Sequence, residues 1–452
     1  MEKLKEPMAV WNTVNLTDIK PDRFDAEYFR KDYQDNLSYL KKTGDTYKFS
    51  RLFKYIKRGS QPLYSNNGTI KALRSVNVGF MNFNETRQEY VTDSFFETNN
   101  RGQVQKEDVL ITSTGVGTLG RTSVWFYNDK AYCDGHITIL RNGSVDPYFI
   151  TAFLNSKYGL IQFDQNFRGS SGQIEIYPYD ISKFVIPECL FPHQQEIGDY
   201  LRKAFELQQE AYKQKQKSSE ILESELGLND FQKDDSKFRV TRLTELSGSR
   251  RFDAQCFKPE FLQYELFIRE NNKHNTLSEL LNRILKGNQQ FISSKGDKPY
   301  VSIKDISGID VIAKGNVSIP LSKAINEDLL LAVTGATIGK IGIVNRYPSI
   351  SFSGDILGLS VNKEKISPWY LLAVLSSPIG QTQFNRWVTG STNGHLSPSD
   401  VRKIIVPRID SLQEDKIENL LRTSLKSLAK SEELLLKAKN RVEELIEVAA
   451  TK

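Results

Sequence analysis

The chain has 452 residues, 61 Lys and Arg against 55 Asp and Glu, and a formal net charge of +6. A hydrophobic content of 39% with 11% aromatics is enough for packed cores and excludes global disorder, while the mild positive balance permits nucleic-acid binding without demanding it. No run of roughly 18 apolar residues can span a bilayer, the first residues lack a signal-peptide core, and three dispersed cysteines, Cys133, Cys189 and Cys256, suit neither a disulfide framework nor a cysteine-built zinc site; a soluble cytoplasmic protein is expected.

In chain order, β-branched and aromatic runs at 46–56, 122–126, 137–140 and 183–186 predict strands, and 147–162 predicts a short helix. From about 192 to 226 apolar or small residues at Ile197, Leu201, Ala204, Leu207, Ala211, Ser218 and Leu222 predict a long helix, with Gly227 suited to its left-handed cap. The pattern then returns. Strands are predicted near 329–333, 341–344 and 403–406, a helix over 368–384, and a last long helix from Ser411.

This recurrence is an internal repeat. Arg23-Phe24-Asp25-Ala26 returns as Arg251-Phe252-Asp253-Ala254, an offset of 228 (251 − 23). Asp108-Val-Leu-Ile-Thr-Ser-Thr114-Gly115 returns as Asp328-Leu-Leu-Leu-Ala-Val-Thr334-Gly335, and Asp180 with Pro187 returns as Asp400 with Pro407, both at an offset of 220 (328 − 108). Matches in the same order over the whole length predict a duplication. Each copy joins an α+β unit to a long helix, which divides the chain into 1–188, 189–227, 228–408 and 409–452.

The last helix carries a heptad seam through Ile417, Leu421, Ser424, Leu428, Ser431, Leu435, Ala438, Val442, Leu445 and Ala449. Ser411 and Glu414 fit a capping box. Long polar helices need a packing partner. Antiparallel pairing of the two is expected, with Ile197, Leu201, Leu222, Ile417, Leu421, Leu428, Leu435, Val442 and Leu445 serving helix pairing and partner docking; folding of each helix onto its own globular unit is the alternative.

Gly115-Val-Gly117-Thr-Leu-Gly120 reads G-x-G-x-x-G after an apolar strand. A strand follows it rather than a helix, and its repeat, Gly335-Ala-Thr-Ile-Gly339-Lys340, lacks the middle glycine, so a dinucleotide site is excluded. The paired loops nonetheless share Thr-Gly followed by Gly-Arg or Gly-Lys. Gly115, Gly120 and Arg121, with Thr334, Gly335, Gly339 and Lys340, are either a phosphate contact or a solvated hairpin turn. A second loop pair, with Ser170 and Ser171 in one copy and Ser391 and Thr392 in the other, either bonds DNA backbone or caps the following segment. Between the repeated anchors, the poorly matching segments carry Lys57, Arg58, Tyr64, Lys71 and Arg74 in the first copy and Lys286, Asn288, Gln289 and Lys304 in the second. These are side-chain types that read base edges or line an ordinary loop.

Catalytic constellations are missing. There is no P-loop, H-E-x-x-H or G-x-S-x-G motif, and Cys133-x-x-His136 is replaced in the repeat by Phe352-x-x-Asp355. A binding protein is expected rather than an enzyme.

Two α+β units alternating with two heptad helices, with Arg-Phe-Asp-Ala near each start and the Thr-Gly…Gly-Arg/Lys loops, resemble the specificity subunit of type I restriction–modification enzymes. The resemblance covers essentially the whole chain; one departure is the start of the second helix, Pro407-Arg-Ile-Asp-Ser-Leu-Gln-Glu, against the tighter Pro192-His-Gln-Gln-Glu196. It implies two target recognition domains, each reading half of an asymmetric bipartite sequence in double-stranded DNA, separated and joined by two antiparallel coiled-coil helices. It further implies two methyltransferase subunits and restriction (translocase) subunits as partners, with S-adenosylmethionine, ATP and Mg2+ held by those partners. A duplicated protein–protein interaction scaffold without DNA specificity is the alternative reading.

Overall fold

The computed structural model describes residues 12–15, 19, 23–85, 87–169, 172–232, 236–249, 251–390 and 393–451. The chain forms two compact units. One takes in the chain up to Gln208 together with the segment from Ala429 onward; the other is Gln209–Leu428. The division falls inside both long helices, Gln194–Glu225 and Ser411–Ala450. Each helix is therefore shared between units instead of standing as a segment of its own.

In the first unit the predicted strand 46–56 is interrupted. Thr46–Lys48 pairs antiparallel with Val185–Pro187, one helical turn covers Phe49–Leu52, and Phe53–Arg58 opens a new strand. Phe49 and Leu52 are both buried; three positions apart, they would face opposite sides of a strand but share one side of a helix. Phe53–Arg58, Ile137–Gly143, Val109–Thr112 and Thr122–Val124 form an antiparallel sheet in that spatial order, and Glu89–Val91, Ile70–Leu73, Ala131–Cys133 and Gln103–Val104 form a second, mixed one. Val109 and Ile111 enter the core beneath the helices Pro147–Leu154 and Lys157–Asn166, while Leu110 enters the core shared with the second sheet. A strand buried on both faces explains an unbroken apolar run in place of alternation.

The second unit follows the same element order. Its main sheet runs Leu281–Lys286, Ile356–Val361, Leu329–Ala332, Ile341–Ile343, Asp310–Val311, Ile306–Ser307, and its second sheet Gly315–Val317, Lys298–Val301, Ser349–Phe352, Ala324–Ile325. Equivalent strands are offset by 228 up to Ile70 and Lys298 and by 220 from Val109 and Leu329. Most of the eight residues are lost after the strands Glu89–Val91 and Gly315–Val317, where the first unit has the helix Asp93–Thr98 and the second runs directly to the strand Ala324–Ile325. The predicted helices 147–162 and 368–384 each break in two, at Ser156, whose hydroxyl caps the next helix, and at Pro378, which cannot continue a helical ladder.

The C-terminal helix starts differently from expectation. Asp410, not Ser411, accepts from the Leu412 N–H at 3.0 Å, and Glu414 instead clamps Arg408 with two bonds of 2.8 and 2.9 Å. Aspartate one residue upstream is an equally good cap and leaves Glu414 for the guanidinium. Gly227 does take the left-handed conformation, at φ +73°.

Within the first unit Ile197, Leu201 and Phe205 share a core with Ala438, Val442 and Ile446. Arg441 lies 3.3 Å from Glu196, and Gln208 donates to Ser431 at 3.1 Å. Within the second, Leu222 and Leu226 share a core with Ile417, Leu421 and Leu425, and the Ser424 hydroxyl donates to the Ala211 carbonyl at 2.8 Å. Leu428, Leu435 and Leu445 are only partly buried. Leu425 and Ile446, which lie off the seam, are instead buried, because a helix lying on a globular unit buries a wider stripe than a seam. The predicted docking residues are thus mostly spent on packing inside their own unit.

An arginine anchors each long helix to its unit. Arg202 stacks 4.4 Å over the Tyr148 ring and pairs with Asp146; Arg422, 220 positions later, stacks 4.7 Å over Trp369 and pairs with Glu327. Burial would raise the Glu327 carboxyl, but hydrogen bonds from Lys363, Trp369 and Arg422 outweigh it and hold the pKa at about 2. A depressed carboxylate contributes stability that is complete above its unfolded pKa and is lost as pH falls through the folded one. Glu327→Gln is expected to cost about 1–2 kcal/mol at neutral pH and to flatten the fall in melting temperature between the unfolded value near 4.5 and about 2. Melts of both proteins over that range check it; parallel curves would contradict the assignment.

Candidate nucleic-acid interface

The repeated Arg-Phe-Asp-Ala segments are structural. Arg23 donates to the carbonyls of Gln165, Asn166 and Phe167 at 3.1–3.3 Å, where the helix Lys157–Asn166 ends, and Arg251 donates to those of Trp387 and Val388 at 3.3 Å, where Pro378–Trp387 ends. The last carbonyls of a helix have no partner inside it and attract a cation. Asp25 and Asp253 pair with these arginines and cap the next turn through the N–H groups of Tyr28 and Cys256.

The glycine-rich loops are β-hairpins. Residues 113–121 join Val109–Thr112 to the antiparallel strand Thr122–Val124, so a strand and not a helix follows Gly120; the second loop holds only the three-residue turn Gly335–Thr337 before its strand Ile341–Ile343. Gly115, Gly117 and Gly120 have φ of +97°, +77° and +84°, and Gly335 and Gly339 have +67° and +90°, which restricts these places to glycine. Arg121 folds back onto the Gly117 carbonyl at 2.6 Å. Lys340 reaches the Ile303 carbonyl at 3.5 Å, next to the exposed Lys304. Bonding a neutral carbonyl leaves either cation's charge in place for an anion.

The two loop pairs that the sequence presents separately come together in each unit. In the first, the Gly115 N–H donates to Ile174 (3.0 Å), the Ile176 N–H to Ser113 (2.9 Å), and Arg168 and Glu175 exchange backbone bonds. In the second, the Gly335 N–H donates to Gly394 (3.0 Å), the Leu396 N–H to Val333 (2.9 Å), and Thr389 and His395 exchange bonds. Thr334 donates its hydroxyl to Asp355 at 2.9 Å. Ser170, Ser171, Ser391 and Thr392 lie outside the described residues.

Beside the first pair, Arg58 donates to Glu175 (3.1 Å) and to the Ile176 carbonyl (2.9 Å) and lies 4.9 Å over the Tyr177 ring. Hydrogen bonds from Tyr177 and, next, Arg58 keep the Glu175 carboxyl below the usual range despite partial burial, so it stays ionised and holds the guanidinium in place. Lys183 sits 3.9 Å over the exposed Tyr179 ring. The residue pattern does not single out Tyr177 and Tyr179. Their signal is the Tyr-Pro-Tyr just before an anchor, which the second copy replaces by Ser-Pro-Ser.

The variable segments leave the main sheet at Gly59 and Gly287. A Cβ there would fall 2.3 Å from the Cys133 carbonyl oxygen and 1.9 Å from that of Ser353, so only glycine lets the strand exit so close to the neighbouring backbone. Both chains then enter a loop of one design. The Ser65 and Ser293 N–H groups donate to Tyr90 and Asn316 (2.9 Å each), and Gly68 and Gly296 close onto the carbonyls of Ser65 and Ser293 (3.1 Å each). Around the first loop Lys57 is exposed, Tyr64 carries the Arg74 guanidinium 6.0 Å over its ring, and Lys71 pairs with Glu85 at 2.6 Å. Around the second, Lys286 and Gln289 are exposed. Asn288, predicted as a base reader, spends its amide on the Leu321 carbonyl at 3.0 Å and ties two loops together.

Residues 24–221 match the family described as Type I restriction modification DNA specificity domain. No curated protein sequence is significantly similar to the chain. Among solved structures it is similar to a type I restriction–modification S subunit from M. genitalium, with 15% identity, a TM-score of 0.46, and coverage of 90% of this chain and 95% of that one. It is also similar to the HsdS subunit from Thermoanaerobacter tengcongensis, with 11% identity, a TM-score of 0.30, and coverage of 90% and 96%. Among the described residues no helix is long and apolar enough to cross a membrane.

Gly59→Ala is expected to destabilise the first unit by about 2–3 kcal/mol, since backbone must shift to admit the methyl. Gly135→Ala, with nothing within 4 Å of its Cβ, is expected to be nearly neutral. Urea melts of the two variants decide it; equal midpoints would refute the close-approach argument.

Proposed function

We propose that this chain, whose residues 24–221 belong to the type I restriction modification DNA specificity domain family, is the DNA sequence-specificity subunit of a type I restriction–modification complex. The observation that carries the reading is the recurrence of the matched unit's element order in Gln209–Leu428. Two readers on one chain suit a bipartite target. The units differ where the eight-residue offset falls and where Tyr177 and Tyr179 give way to Ser397 and Ser399, so each half-site differs in sequence.

On this reading the two long helices set the spacer. At 1.5 Å per residue, 32 residues of helix measure about 50 Å, compatible with two major-groove sites one turn, ~34 Å, apart. Two methyltransferase subunits dock on the helices, and because most seam residues are buried, contact falls to exposed apolar positions such as Tyr212, Leu436 and Val448. Restriction subunits join that core. Methyl transfer from S-adenosylmethionine and ATP- and Mg2+-dependent cleavage belong to those partners.

Methylome sequencing of a host carrying this chain with its methyltransferase is expected to return one asymmetric bipartite motif; unaltered methylation would sink the proposal. Exchanging residues 50–105 for another family member's segment is expected to change one half-site only, and a change in both would refute independent readers. Removing one heptad within residues 209–219 and one at residues 424–430 is expected to shorten the spacer while both half-sites persist.

A further inference from the structure

We propose that Phe291 is an apolar wedge that enters the DNA duplex and unstacks one base step within the half-site contacted by the second unit. The inference rests on the specificity-subunit reading above. Phe291 is 99% exposed at the tip of the loop that follows Gly287. It is not an isolated surface residue: Ile292 (56%), Ile319 (70%) and Leu321 (62%) are exposed on the same loop and on the one beside it. The two loops are held together by side-chain amides rather than by their apolar side chains. Gln290 donates to the Ile319 carbonyl at 2.7 Å and accepts from the Leu321 N–H at 3.1 Å, and Asn288 donates to the Leu321 carbonyl. The polar groups are spent inside the fork, and the hydrophobic ones are turned out.

Such a cluster is costly to leave in water and marks a contact surface. Its surroundings name the partner. Residues 286–298 and 314–323 carry Lys286, Lys295, Lys298, Lys314 and Lys323, all exposed, against the single acid Asp297. An apolar tip ringed by lysines matches a duplex, whose phosphates flank stacked bases that an inserted side chain can part. The loop conformation supports a fixed wedge rather than a floppy tip. The first unit builds the same turn with Leu63, 228 positions earlier and 70% exposed, in the place of Phe291. There Arg58 is the lone cation over residues 58–70, so the lysine ring and the aromatic tip occur together only in the second unit.

The test uses the full chain with its methyltransferase on the duplex that methylome sequencing returns, with 2-aminopurine placed in turn at each adenine of both half-sites except the methylated ones, because a methyltransferase itself extrudes its target base. The wild type is expected to raise fluorescence severalfold at one step in one half-site. Phe291→Ala is expected to abolish the rise and weaken binding about tenfold, while Phe291→Leu retains most of both; since the side chain is exposed, neither variant threatens folding. Specific binding and methylation with no rise, or a rise that survives Phe291→Ala, overturn the wedge and leave the specificity subunit standing. A wild-type complex that does not retain the duplex overturns both. Binding of phosphatidylserine vesicles that is lost in Phe291→Ala, with DNA binding unchanged, assigns the tip to a membrane surface and overturns the proposal.

Discussion

The first unit's core is closed by two segments that lie more than 200 positions apart in the sequence. Ile197, Leu201 and Phe205 arrive on one long helix and Ala438, Val442 and Ile446 on the other, and all six bury against the helices Pro147–Leu154 and Lys157–Asn166. At roughly 1.5–3 kcal/mol for a fully buried aliphatic side chain, the C-terminal contribution is comparable with the whole margin by which a domain is stable. The paired loops hang from that core: the doubly buried strand Val109–Thr112 holds the glycine hairpin, and the hairpin holds the loop that carries Arg168 and Glu175. The second unit repeats the device with Leu222, Leu226, Ile417 and Leu421.

The division of labour inside each unit follows burial. Motifs that repeat almost unchanged turn out to fix the backbone: Arg23 and Arg251 saturate helix ends, Asp108 and Asp328 accept from the N–H groups of Gln105 and Ile325 just before the buried strand, and Gly59 and Gly287 permit a close crossing. Segments that diverge are exposed and carry cations, amides and rings. A fold arranged this way can exchange its contact residues without touching what holds it together.

The duplication is legible in the sequence because matching residues recur in the same order, and so is the strand after the first glycine loop, which depends on local patterning; the heptad spacing finds Ile417, Leu421, Ala438 and Val442 but not Leu425 and Ile446. The role of Arg23 is not, since its acceptors lie more than 140 positions away and are backbone atoms with no residue signature. Asn288 looks like a base reader for the same reason: side-chain type is local information, but the Leu321 carbonyl that claims its amide is not. Asp410 displaces Ser411 as the helix cap because two good caps stand side by side, and only the three-dimensional demand of Arg408 on Glu414 decides between them. The exposure of Phe291 is hidden as well, because nothing in its residue type distinguishes an aromatic turned to solvent from one in a core.

The closure of the first core by the last helix also sets an order of events during synthesis. Ile446 leaves the ribosome 238 residues after Gln208, on the order of tens of seconds later at ordinary elongation rates. Throughout that interval Ile197, Leu201 and Phe205 lack the cover of Ala438, Val442 and Ile446, and the second unit, whose own residues are contiguous in the chain, completes its core before the first. The unit that begins folding first is thus completed last.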